Sequence, residues 1–266
     1  MRLLFFVILL VNVQTVHAAY YNFTVAFSRP YDNSSIIPIY ENDSIVPRGS
    51  VIKALVIPAA LIGYGVLTIG IKGLKKLDRD TKEEITEDHP HFITHADNYL
   101  QYSPAAAVYI LNAFGVMGKN NLRDRTIIYA LSNLISTVFV LPLKNLTKIQ
   151  RPDGSGFNSF PSGHTTTAFA AAEFLRLEYK DRSPWYGIAG YTVAAATGVL
   201  RLYNNKHWMS DIIAGAGFGI LSTKLAYWIY PVIKKKFFKS GPVNTMAVPY
   251  YQQGSFGFAL VKQFGR

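Results

Sequence analysis

From residue 51 onward the chain alternates between apolar runs and short polar islands. The run 51–71 carries one charge, Lys53, near its start. About twenty such residues at 1.5 Å each suffice to cross a hydrocarbon layer of roughly 30 Å. Further apolar helices are predicted at 104–118, 126–143, 164–176, 185–200 and 211–231, bounded by Gly, Pro and charged clusters. Several are shorter than a bilayer crossing requires. The expected fold class is therefore all-α: a membrane-embedded helical bundle of about six core helices spanning 51–240. Residues 77–98 are charged and read as an exposed polar loop. The tail, 241–266, places aromatic and branched residues at 246–251 and 256–264 around Gln252-Gln253-Gly254-Ser255, which predicts a hairpin or an irregular end.

The front of the chain reads differently. Arg2, an apolar stretch from Leu3 to Val11 and the small-residue pattern Val16-His17-Ala18 predict a secretory signal over 1–18, or else an uncleaved first anchor. Residues 19–50 are polar and turn-rich, an exported surface segment.

Composition narrows the class. Half of the residues are hydrophobic and 16% are charged, against about 25% charged in an ordinary soluble protein. The net charge of +11 calls for an anionic partner. No basic face interleaved with aromatics and no nucleic-acid module is present, so lipid headgroups or a phosphorylated substrate are expected instead. With no cysteine, disulfides and thiolate metal sites are excluded. Lys119, Arg123 and Arg125, then Arg176, Lys180 and Arg182, then the lysines after the last helix mark three loops as cytoplasmic by the positive-inside rule. That puts the ends carrying the polar islands on the opposite side. The signal sequence and six crossings together predict the reverse, so the two topology signals conflict.

Three islands carry the chemistry. The first is Lys144-x6-Arg151-Pro152. Seven residues are close to two helical turns, so both cations share one face if the helix continues to Pro152. The second is Pro161-Ser162-Gly163-His164 before a helical run. Ser162 is a natural N-cap, and Gly163 lets the backbone approach a ligand. The helix start is a candidate anion site with His164 in its first turn. The third is Arg201-x5-His207-x3-Asp211. A carboxylate four residues from a histidine can orient the ring, the arrangement of an activated nucleophile. Arg201 can clamp phosphate oxygens in fork geometry.

The order and spacing of these motifs resemble the superfamily of type-2 phosphatidic acid phosphatases, bacterial class A acid phosphatases and vanadium-dependent haloperoxidases. The family signature is Lys-x6-Arg-Pro, Pro-Ser-Gly-His and Ser-Arg-x5-His-x3-Asp; here Leu200 stands in place of the last motif's serine. The resemblance covers about residues 104–231. It implies that His207 attacks phosphorus to form a phosphohistidine while Asp211 orients it. It implies that His164 protonates the leaving alkoxide and later activates water. Lys144, Arg151, Arg201, Ser162 and Gly163 then hold the phosphoryl oxygens, with no metal or cofactor.

The expected function is hydrolysis of a lipid phosphate or diphosphate, of the lipid A, polyprenyl diphosphate or phosphatidic acid type. The expected place is a bacterial inner membrane with the site facing the periplasm. A broad-specificity, soluble or peripheral periplasmic acid phosphatase is the second reading. A vanadate-dependent haloperoxidase and a non-catalytic headgroup binder follow. His89, His91 and His95, beside Asp88 and Asp97, read as a solvated loop, with a metal site or a lid over the active-site mouth as alternatives.

Overall fold

A computed structural model describes residues 48–237 and two strands, 245–252 and 255–262. The signal and most of the 19–50 segment lie outside the described residues. Every predicted apolar helix is present. They are α1 (Arg48–Gly70), α4 (Ser103–Ala113), α5 (Leu122–Thr147), α6 (Gly163–Tyr179), α7 (Pro184–Tyr203) and α8 (Met209–Phe237). Two more were not foreseen: α2 (Lys72–Asp88) and the short α3 (Ala96–Leu100). The tail forms the expected hairpin, β1 (Thr245–Gln252) antiparallel to β2 (Ser255–Lys262), with Gln252 opposite Ser255.

The polar-loop reading of 77–98 is thus corrected at its first half. Lys, Glu, Leu and Arg favour helix without any apolar run. The anchor is tertiary: buried Asp78 on α2 accepts from Ser210 N–H at 2.9 Å and from Ser210 Oγ at 2.6 Å.

Small residues set the core. Ala168, Ala170, Ala171 and Ala172 on α6 are fully buried, and α8 brings Gly215, Gly217 and Gly219 against its neighbours. A Cβ on Gly219 would overlap the Thr166 carbonyl oxygen, and one on Gly215 would lie 2.7 Å from that of Ser162. Backbone-to-backbone approach of α6 and α8 therefore needs glycine at these positions.

Helices α1, α5 and α8 are long and apolar enough to cross a membrane. Large apolar side chains lie exposed along the first two, among them Ile52, Val56, Ile57, Val66 and Leu67 on α1 and Leu134, Val138 and Leu141 on α5. Bands of this kind are costly in water and matched in lipid. The chain is a membrane protein.

The ends of the helices segregate. Gly65 of α1 approaches Ser210 and Ala214 at the start of α8, and Ser162 N–H, at the start of α6, donates to the Asp211 carbonyl at 3.0 Å. At the other end Lys119 N–H donates to the Glu178 carbonyl at 2.9 Å, and Lys234 pairs with Asp124 at 3.0 Å. The three basic loops thus gather at one end and the three polar islands at the other.

Candidate active site

Helix α8 places the His207–Asp211 pair. Met209 opens the helix, so His207 sits just before it and Asp211 is its third residue. From there the carboxylate reaches back to the Trp208 N–H at 3.0 Å, a capping interaction. The same Oδ2 accepts from Ser159 Oγ at 2.5 Å and faces His207 Nδ1 at 3.4 Å. Both residues are buried, at 3% and 1% exposure. Burial, reinforced by Lys144 and Arg201 and opposed by Asp211, pushes His207 down to about 4. The ring is therefore neutral at neutral pH, as a nucleophile must be. Ser159 is a supporting residue the motif reading missed; it is one serine in a loop, with no spacing signal to mark it.

Helix α6 places His164. Ser162 caps it, its Oγ accepting from Thr165 N–H at 3.5 Å and Thr165 Oγ1 at 2.9 Å. Ser162 is fully buried and its own N–H is spent on Asp211. It acts as a cap, while the N–H groups of Gly163 and His164, in the first turn of α6, have no intrahelical acceptor and are open to an anion. His164 Nε2 meets Asn98 Oδ1 at 2.8 Å. Burial first, then Arg201, Arg151 and Lys144, hold its pKa below the ordinary 6.5 against the opposing pull of Asp97.

The cations converge differently from the sequence expectation. Helix α5 stops at Thr147, and Lys148 adopts a left-handed conformation (φ 46°). Lys144 and Arg151 therefore do not share a helix face: Arg151 sits in the following loop. Convergence comes from the loop 155–159 instead. Lys144 Nζ donates to the carbonyls of Asn158 at 2.7 Å and Ser159 at 3.5 Å. Arg151 Nε donates to Asn158 Oδ1 at 2.9 Å. One Lys144 N–H and the four terminal N–H groups of Arg151 remain for a ligand.

Arg201 closes α7 and is bound by a residue the sequence did not single out for this role. Its Nη1 donates to Asp97 Oδ2 at 2.6 Å, a buried ion pair. Its Nε is buried and has no partner among the described residues. Asn204 fastens the same segment, its amide exchanging hydrogen bonds with Thr94 N–H and C=O, each at 2.9 Å. Residues 94–98 thus hold both Arg201 and His164. The His89 ring lies tilted against Tyr203, centroids 5.2 Å apart, and no metal-holding group of three or more ligand residues occurs among the described residues.

The assembled site contains three cations, a neutral buried histidine with its carboxylate, a second histidine and open helix N–H groups. Such an arrangement stabilises charge on the equatorial oxygens of a transferring phosphoryl group.

Residues 125–235 match the PAP2 superfamily. A lipid A 1-phosphatase of Porphyromonas gingivalis is 42% identical over 146 residues, 53% of this chain and 32% of that protein. The bacitracin transport permease protein BcrC of Bacillus licheniformis is 34% identical over 74 residues, 28% of this chain and 34% of that protein. The chain spans about a third of the length of these curated relatives. Among solved structures, a PAP2-type phosphatidylglycerolphosphate phosphatase from Bacillus subtilis is 20% identical with a TM-score of 0.48, covering 69% of this chain and 99% of that one.

Proposed function

We propose that the protein, whose residues 125–235 match the PAP2 superfamily, is a metal-independent lipid phosphatase working through a phosphohistidine. The observation that carries this is the buried His207–Asp211 pair set among Lys144, Arg151 and Arg201, whose Nε is left for an anion. In the first step the His207 ring nitrogen remote from Asp211 forms a bond to phosphorus as the ester P–O bond breaks. The leaving alkoxide takes a proton from His164. In the second step His164 removes a proton from water, whose oxygen attacks phosphorus and releases phosphate, restoring neutral His207. Lys144, Arg151, Arg201 and the N–H groups of Gly163 and His164 hold the charge throughout.

The substrate class that fits is a phosphorylated lipid held in the membrane, its headgroup reaching the polar end of the bundle. The lipid A 1-phosphatases among the relatives favour lipid A over polyprenyl diphosphate and phosphatidic acid. The basic loops at the far end favour an inner-membrane protein with the site facing the periplasm.

The test is phosphate release in EDTA by detergent-purified protein from lipid A, polyprenyl diphosphate, phosphatidic acid and p-nitrophenyl phosphate. Release from lipid A is expected, falling on the order of 10⁴-fold or more in His207→Ala. Release from polyprenyl diphosphate but not from lipid A would overturn the substrate assignment, and full activity in His207→Ala the mechanism.

A further inference from the structure

A groove of about 620 Å³ continues outward from the phosphate-binding cations, lined by Lys144, Lys148, Arg151, Ser155 and Phe157 among others. Two of these residues already serve the scissile phosphate in the proposed function, on which this inference rests. Lys148 does not. It is the C-cap of α5, four residues after Lys144, and lines the same groove. Its left-handed backbone (φ 46°, ψ 38°) is one that glycine or asparagine adopts more readily at a helix end. No carboxylate is within ion-pair distance of Lys144, Lys148 or Arg151 among the described residues.

The acid nearest in sequence is occupied elsewhere. Asp153 pairs with Lys206 at 2.5 Å and accepts from Ser155 N–H at 3.0 Å and Oγ at 2.7 Å. Burial would raise its pKa, but these bonds prevail and hold it down at about 2. The loop itself is fixed: Arg151 N–H donates to the Gly156 carbonyl at 2.8 Å, and Gly154 N–H to the Arg151 carbonyl at 3.0 Å. The groove carries three cations with no paired carboxylate among the described residues, and one of them, Lys148, is not engaged by the scissile phosphoryl group.

We propose that this groove is a subsite for a second phosphoryl group on the same substrate, with Lys148 as the cation that only such a substrate engages. The second group is linked to the first through a bridging oxygen, as in a diphosphate, or borne elsewhere on the headgroup, as in a bisphosphorylated lipid. The experiment measures binding by calorimetry to the full chain in detergent. It compares inorganic phosphate with pyrophosphate, and a monophosphorylated lipid A with its bisphosphorylated form. In Lys148→Ala, affinity for the doubly phosphorylated member of a pair is expected to fall about tenfold, the scale of a lost charge-assisted hydrogen bond. Its singly phosphorylated partner is expected to change little, and Lys148→Arg to retain the preference.

Selective loss with pyrophosphate assigns the bridged group, and selective loss confined to lipid A assigns the distant one. Equal weakening of both members, as for a lysine that only anchors the chain at the lipid interface, overturns the subsite. So does no change at all, as for a lysine that only answers the helix dipole. With every protein in the comparison also carrying His207→Ala, binding is read without turnover, so these outcomes are separate from failure of the active enzyme to release phosphate, which would instead sink the proposed function.

Discussion

In the proposed mechanism two histidines do opposite work because their surroundings fix their protonation. His207 is held down to about 4 by burial, so it is neutral and nucleophilic above that pH. His164 must carry a proton to serve the leaving group, and its pKa lies below 6.5. The free enzyme's kcat/KM is therefore expected to be bell-shaped. It rises through His207 near pH 4 and falls as pH climbs through His164, giving an acidic optimum. Asn98 Oδ1 accepts from the His164 ring at 2.8 Å and so favours the protonated form. Asn98→Ala is expected to move the alkaline limb to lower pH and to reduce kcat about tenfold, the worth of one hydrogen bond of roughly 1.4 kcal/mol. A pH–rate profile with that limb unmoved would remove Asn98 from any positioning role. The sequence made His207, Asp211, His164 and the three cations legible because each sits at a fixed offset in a motif. Asp97, Asn98 and Ser159 have no such offset from the groups they hold.

Among the elements, the contact between α6 and α8 determines whether the islands meet. Gly219 faces the α6 backbone so closely that an added methyl group would overlap the Thr166 carbonyl oxygen and lie 2.8 Å from the Ala170 amide nitrogen. Neither atom can rotate aside. Gly219→Ala is expected to destabilise the protein by about 1–3 kcal/mol. Gly63 on α1 provides the contrast, with nothing within 4 Å of the place a methyl group would take. Gly63→Ala should leave stability unchanged or raise it by roughly 0.5–1 kcal/mol through helix propensity. Thermal unfolding in detergent compares the two, and equal melting temperatures would show that the close approach does not matter. Apolar periodicity revealed six helices because it is a local property of the chain. It did not reveal α2, whose charged sequence has no apolar run and whose anchor, Asp78, bonds to Ser210, 132 positions away. Nor did it show that α5 stops at Thr147, since the chain there contains no glycine or proline to mark a left-handed cap.

For the molecule in its bilayer, orientation follows from which charges share an end. Lys119, Arg123, Arg176, Lys180 and Lys234 belong to the end away from the site. Helix α1 ends at the site's side, and α2 brings Lys75 and Arg79 there, opposite the basic loops that follow the later helices. A cysteine-free chain makes the proposed orientation directly measurable. In intact cells an impermeant maleimide is expected to label Ser155→Cys, in the groove, and to leave Asp181→Cys, in the α6–α7 loop, unlabelled. The reverse pattern would put the site in the cytoplasm.

Residue type, period and short spacing were enough to establish the helical class, the apolar runs fit for a membrane and the set of charged and imidazole side chains needed for phosphoryl transfer. They could not say which of those charges are neutralised and which remain open; that was left to the packing of the helices. Arg201 is paired with Asp97, 104 positions away, while Lys144, Lys148 and Arg151 face a groove without a carboxylate partner among the described residues. A charge is neutralised by whatever lies within a few ångströms of it, and in this fold those neighbours are brought together by the packing of α3, α6, α7 and α8.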